Sequence, residues 1–173
     1  MILRGWHLGL LCAAAFSVAV PARADLARVS EPARWALGFM LGAPTGLTVK
    51  RYLGGANALD LGLGFALGPG FRIHADHLWG LARIPTESAN VSLDLYAGVG
   101  AMLGAFSGTC GFISSARCGG GLAYAGFRVP FGLDAVFRRT PFALAVELAP
   151  GFAATSAGVG GTFDLFIAGR FLL

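Results

Sequence analysis

The sequence predicts an all-β fold: an eight-stranded antiparallel up-and-down transmembrane β-barrel with an apolar exterior and a polar, charged lumen. Three observations predict it. Of 173 residues 55% are hydrophobic and only 13% charged, where soluble domains carry roughly a quarter charged. Beyond the N-terminal segment no apolar run reaches the ~18 residues of a membrane helix, because glycine or charge interrupts each candidate. Apolar residues also alternate with small or polar ones in segment after segment, which is the period of a strand.

Residues 1–24 read as a cleaved secretory signal. Arg4 supplies the positive start, an apolar stretch runs from Leu8 to Val20, and Pro21 breaks it ahead of Ala22-Arg23-Ala24, an A-x-A cleavage signature. Residues 25–173, from Asp25, then form one domain of an exported protein. Cleavage leaves 11 basic and 9 acidic residues, a net charge of +2. No basic run with interleaved aromatics remains, so nothing favours nucleic acid as a partner. Cys12 leaves with the signal. Cys110 and Cys118, in the Gly/Ser-rich stretch CGFISSARC, then read as a loop disulfide formed in an oxidising compartment. They lack a Cys/His pair at zinc spacing, so no metal or other cofactor is implied.

The strands follow in order. Segments 34–41 and 46–53 are compatible with strands, and 58–68 shows the alternation best. There Leu59, Leu61, Leu63, Phe65 and Leu67 share one parity, while Asp60, Gly62, Gly64, Ala66 and Gly68 share the other. In 70–79, Phe71, Ile73 and Ala75 oppose Arg72, His74 and Asp76. The same split covers 91–104, 122–137 and 141–150, and a last strand carries Phe163, Leu165, Ile167 and Phe171. Turn residues separate most of them, among them Ala43-Pro44-Thr45, Gly54-Gly55-Ala56-Asn57, Pro69-Gly70 and Arg139-Thr140-Pro141. Pro130 falls inside a strand, where a missing N–H predicts a bulge or kink.

Face polarity decides between a soluble and a membrane barrel. One face is Leu, Phe and Val; the other is Gly, Ala, Ser, Tyr and single charges, too few to solvate an exterior. Turned inside out, the apolar face meets lipid and a closed ladder satisfies every backbone group. Parity then sends Arg34, Lys50, Arg72, Arg128 and Arg170 into the lumen, with Asp60, Asp76, Asp94, Asp134, Glu147 and Asp164, and His74 beside them. Near-balanced charges on separate strands can pair along the axis, and a barrel of ~8 strands is just wide enough for side chains to fill, which argues against a diffusion pore. With both ends periplasmic, connections 54–57, 81–90 and 138–141 face the periplasm. The long loop from Ala105 to Gly121 is then extracellular, the place for any external ligand. Trp35, Trp79 and Tyr52, near strand ends, are candidates for interfacial aromatic girdles.

The runs LGAPTGLTVKRYLGGANALDLGLGF, HADHLW, YAGVGA, GFRVPFGLDAVF and FALAVELAPGF resemble a poorly characterised family of small, OmpA-like outer-membrane barrels of eight strands. The resemblance spans Trp35 to the C-terminus and implies no catalytic residues. Phe166, Ala168, Phe171 and Leu173 partly match the C-terminal assembly signal of such barrels, although Leu173 stands where that signal ends in Phe. The implied partners are outer-membrane lipid and the barrel-assembly machinery. His74 and His77, three residues apart on one strand, face opposite sides and cannot share a ligand. The leading expectation is therefore a non-enzymatic outer-membrane protein with a structural or surface-interaction role. Its rivals are a lipid-modifying enzyme built on Ser92, and a narrow channel or carrier of a small hydrophobic ligand.

Overall fold

The computed structural model describes residues 34–65, 70–87, 90–109, 117–156 and 158–173, with the backbone alone for 106–109 and 117–122. The expected signal at 1–24 lies outside the described residues, as do Cys110 and the side chain of Cys118 on which the proposed Cys110–Cys118 bridge depends. Alternation along the chain produces nine strand segments and, among the described residues, no helix. They are β1 (Trp35–Ala43), β2 (Thr45–Gly54), β3 (Asn57–Phe65), β4 (Gly70–Ile84), β5 (Val91–Thr109), β6 (Arg117–Arg128), β7 (Phe131–Phe137), β8 (Phe142–Thr155) and β9 (Gly158–Leu172). All pairings are antiparallel, and β1 pairs with β9 as well as with β2, so the sheet closes on itself. Since β6 and β7 both lie between β5 and β8, they share one position in a ring of eight strands.

Pro130 separates β6 from β7, but the expected bulge is absent. Arg128 pairs with Gly100 and Phe131 with Ala97, and across the other edge Arg128 pairs with Gly151 and Phe131 with Leu148; the register runs straight through. Only the hydrogen bonding is interrupted. Gly98 N–H donates to the Pro130 carbonyl at 2.8 Å and Val129 N–H to that of Pro150 at 2.9 Å. Neither proline can return the bond, so each pair keeps one of the usual two.

Register also fixes the slant of the strands. Stepping from partner to partner, from Ala36 through Lys50, Asp60, Asp76, Gly100, Arg128 and Gly151, leads to Thr162. Ala36 itself pairs with Leu172, ten residues further along β9. For eight strands that stagger requires a tilt of about 40°. The ring has two ends. The first holds the start of β1, the end of β9 and the turns β2–β3, β4–β5 and β7–β8; the second holds the remaining connections. At the second end β5 and β6 stay paired as far as Thr109 and Arg117, so much of the expected 105–121 loop is hairpin. At the first end β4 continues to Ile84, which shortens the expected 81–90 connection.

The two faces are sharply unlike. Among the described residues thirty large apolar side chains are exposed, including Phe39, Leu63, Phe65, Leu103, Val146 and Phe163. The buried set is mostly small or ionic, Ala36, Ala143, Ala145, Ala149 and Ala168 beside Lys50, Asp60, Arg128 and Glu147, with a few large apolar side chains, Met40, Leu78, Met102 and Phe166, between them. Space inside is divided by cross-strand pairs of glycine with a large partner. Gly62 lies opposite His74, Gly104 opposite Tyr124 and Gly132 opposite Tyr96, and a Cβ on any of the three would strike the partner ring. Replacing Gly132 by Ala should therefore cost about 1–3 kcal/mol through overpacking against Tyr96. Gly160→Ala, with open space around the new Cβ, should stay within ~0.5 kcal/mol of wild type. Urea unfolding followed by tryptophan fluorescence measures both.

Candidate functional site

The residues that could carry chemistry meet inside the ring. Ten of the twelve expected lumen residues are buried there: Lys50, Asp60, Arg72, His74, Asp76, Arg128, Asp134, Glu147, Asp164 and Arg170. Arg34 and Asp94 are not. Arg34 precedes β1 by one residue and is exposed at the first end. Asp94 is half-buried at the same end, where its carboxylate accepts from Arg83 Nε at 2.7 Å and from the Ser92 hydroxyl at 3.1 Å. The expectation missed Arg83 for a definite reason. The register shifts between Gly80 and Ala82, so Leu81 is an extra residue in β4, and period-two counting fails beyond it. The shift brings Arg83 opposite Asp94.

Among the described residues four cations and five carboxylates are enclosed, and their connections run across the interior more than along the ladder. Lys50 stands next to Asp60 in register, yet its ammonium donates to Asp134 at 2.5 Å. Asp60 is taken by Arg170, whose Nη2 donates at 2.6 Å, and by the Thr48 hydroxyl at 2.8 Å. Asp134 also accepts from the Tyr52 hydroxyl at 3.1 Å and lies 3.8 Å from Arg170. Lys50 Nζ sits 4.3 Å from the centre of the Tyr96 ring, a cation–π contact that supplements its single carboxylate.

Arg128 occupies the middle, fully buried, facing carboxylates from three strands. It donates to Glu147 of β8, with Asp164 of β9 at 3.5 Å and Asp76 of β4 at 3.6 Å. Glu147 accepts a further bond from the Tyr96 hydroxyl at 2.8 Å. Toward the second end Arg72 grips Asp164 with both terminal nitrogens, at 2.6 and 2.5 Å, a fork that suits a planar carboxylate. His74 Nε2 lies 3.8 Å from Asp76, and its ring stacks on Phe166 at 6.2 Å. Two like-charged cross-strand pairs, Asp60 with Asp76 and Asp94 with Asp134, would repel if left alone. Each is parted by cations that draw its members in different directions: Arg170 and Arg128 for the first, Arg83 and Lys50 for the second.

Tyr52 belongs to this network and not to an aromatic girdle. Its parity points inward and it is buried, whereas Trp35 and Trp79 are exposed on the outer face near the first end. His77, also on the outer face, tilts against Trp79 with ring centres 4.8 Å apart, well away from His74. Ser92 is buried, and the bond its hydroxyl makes is to the Asp94 carboxylate. Among the described residues no three His, Cys, Asp or Glu side chains converge as metal ligands. The chain matches no family model, no curated protein and no solved structure.

Such an arrangement can brace strands against one another and fill the interior. Burying these ions is costly, and the cost is offset only while each keeps its partners. Arg128→Met leaves three enclosed carboxylates short of a cation and should destabilise the fold by about 3–5 kcal/mol in urea unfolding. Arg83→Met breaks a pair at the rim, where the arginine is 35% exposed, and should cost no more than about 1 kcal/mol.

Proposed function

We propose that the chain is an integral β-barrel of the bacterial outer membrane, OmpA-like in form and non-enzymatic. Its role is structural or one of surface interaction through the hairpins at the second end. The observation that carries this reading is the inverted partition of side chains: thirty large apolar residues outside, four cations and five carboxylates inside. An aqueous protein rarely exposes contiguous apolar surface beyond a few hundred Å². In hydrocarbon the same surface is matched to its solvent, and a ring without a free edge keeps backbone groups paired within the ladder, the single bonds at Pro130 and Pro150 excepted.

Dimensions agree. At a tilt of about 40° each residue advances ~2.5 Å along the axis, so an apolar stretch of nine or ten residues spans the ~25 Å band of such barrels. Strands β1, β2 and β3 have 9, 10 and 9 residues. Trp35 and Trp79 stand on the outer face near the first end, a fitting level for an interfacial belt. That end, with the start of β1 and the end of β9, faces the periplasm in this reading, and the β5–β6 and β8–β9 hairpins point outward. Outer-membrane lipid and the barrel-assembly machinery are the implied partners, and the 105–121 region is the place for an external ligand. The side chains that fill the interior support a closed barrel over a channel.

Two measurements test the proposal. The protein should fractionate with outer membranes and run as a compact band that shifts on boiling; recovery as a soluble periplasmic protein would overturn the reading. Leu63→Arg or Val146→Arg, mid-strand on the outer face, should cost about 2–4 kcal/mol when the protein is folded into lipid. A neutral or stabilising effect there would mean that the face meets water.

A further inference from the structure

The outer face carries a groove across β8, β9 and β1. Gly169 points outward, where its register partners are Phe39 on β1 and Leu144 on β8. One row nearer the first end Phe171 stands between Leu37 and Phe142, and the two phenylalanines meet edge to face at 5.4 Å. Large side chains on both flanks and none at Gly169 leave an apolar furrow lined by these residues. A Cβ at Gly169 would meet only Leu144 Cδ2, at 3.7 Å, so backbone packing does not demand a glycine there.

Charge is distributed unevenly near this furrow. Of the ionic side chains described outside the interior network, Arg34, Arg51, Arg83, Arg138 and Arg139 and the acids Glu87 and Asp94 all lie toward the first end. Two backbone bonds join the arginine-bearing segments below the furrow. Leu172 N–H donates to the Pro141 carbonyl and Leu173 N–H to that of Trp35, both at 2.8 Å. The Arg138–Arg139 turn, the end of β9 and the start of β1 thus form one lip, and the furrow opens within a few residues of it. Arg51 extends the same side, its guanidinium 5.0 Å from the centre of the Trp35 ring.

We infer that this furrow seats an acyl chain of an anionic glycerophospholipid whose phosphate meets Arg138 and Arg139. The inference rests on the membrane reading above, in which the first end lies in the phospholipid leaflet. An apolar slot lined by Phe39, Leu144, Phe142 and Phe171 suits a flexible hydrocarbon chain. Exposed guanidiniums at its mouth suit phosphate oxygens, which accept paired N–H donors, and favour a net anionic headgroup over a zwitterionic one.

The test uses the detergent-extracted protein, with its boiling-sensitive band verified first. It is mixed with equal amounts of phosphatidylglycerol and phosphatidylcholine of identical acyl chains, and single-lipid adducts are read by native mass spectrometry. Wild type should retain phosphatidylglycerol over phosphatidylcholine by about fivefold or more. The variant R138S/R139S should bring the two lipids to parity, and Gly169→Leu should reduce both adducts. The inference is overturned if wild type shows no preference, if the preference survives R138S/R139S, or if Gly169→Leu leaves the adducts unchanged. It is overturned equally if the furrow holds a second copy of the chain, seen as a dimer mass that Gly169→Leu abolishes. A protein that inserts but retains no lipid refutes this inference alone, whereas one that never shows the boiling-sensitive band refutes the membrane reading beneath it.

Discussion

Arg128 faces carboxylates from β4, β8 and β9 at full burial. That arrangement expresses the constraint on which the structure depends: enclosed charge must be neutralised across the ring. A guanidinium alone in this interior would cost several kcal/mol, and so would any of its three partners. Through Asp76 of β4 and Asp164 of β9, Arg128 of β6 ties strands that are not neighbours in the sheet, while Glu147 lies on the adjacent β8. Lys50 of β2 with Asp134 of β7, Arg170 of β9 with Asp60 of β3, and Arg72 of β4 with Asp164 of β9 repeat the device. The ladder joins adjacent strands only, so these cross-ring contacts add the constraint on cross-section that hydrogen bonds between neighbours lack.

The small residues answer to the same constraint. Arg128 is flanked in register by Gly100 and Gly151, and Tyr96 by Gly132. A ring of eight strands has little interior width, so a long side chain is accommodated only where its neighbour is nearly absent. Glycine is abundant here because it yields volume to arginine and tyrosine. Most large apolar residues are left the outside, and the few that enter, such as Met40, Leu78, Met102 and Phe166, fill gaps beside the ionic chains.

How much of this was legible in the sequence depends on distance along and across the chain. Parity along one strand is local, so the inward placement of Asp60, Arg72, Asp134 and Arg170 could be read from alternation with Leu, Phe and Val. It failed where the alternation itself breaks. Leu81 adds a residue to β4, and alternation alone places Arg83 beyond it in the 81–90 connection. Tyr52 was judged by its nearness to a strand end, although its parity with Thr48 and Lys50 points inward. Arg34 lies just before the ladder begins. At Pro130 the missing N–H predicts a bulge or kink; no bulge forms, because retaining single bonds at Pro130 and Pro150 preserves the register. The partners could not be read at all. Lys50 bonds Asp134 while Asp60 sits beside it, because Arg170 reaches Asp60 from β9, and that competition exists only after closure.

Neutralisation inside and hydrophobicity outside together leave the ends as the places where this chain can present charge to a partner. The two ends are not equivalent. Arginine gathers at the first, around Trp35 and the β7–β8 turn, while at the second, among the described residues outside the interior network, Arg117 at the start of β6 is the only ionic one. A barrel whose only task was to fill a hole in a membrane would gain nothing from that asymmetry. In the proposed orientation the asymmetry has a physical use: cations at one rim meet the phosphates of one leaflet, with an attraction of about 1 kcal/mol for each side chain near the surface. The aromatic rings beside them resist movement of that rim into hydrocarbon or into water. In that proposal tilt and depth would be set from the first end, and the β5–β6 and β8–β9 hairpins would project from the opposite side by whatever length their ladders provide.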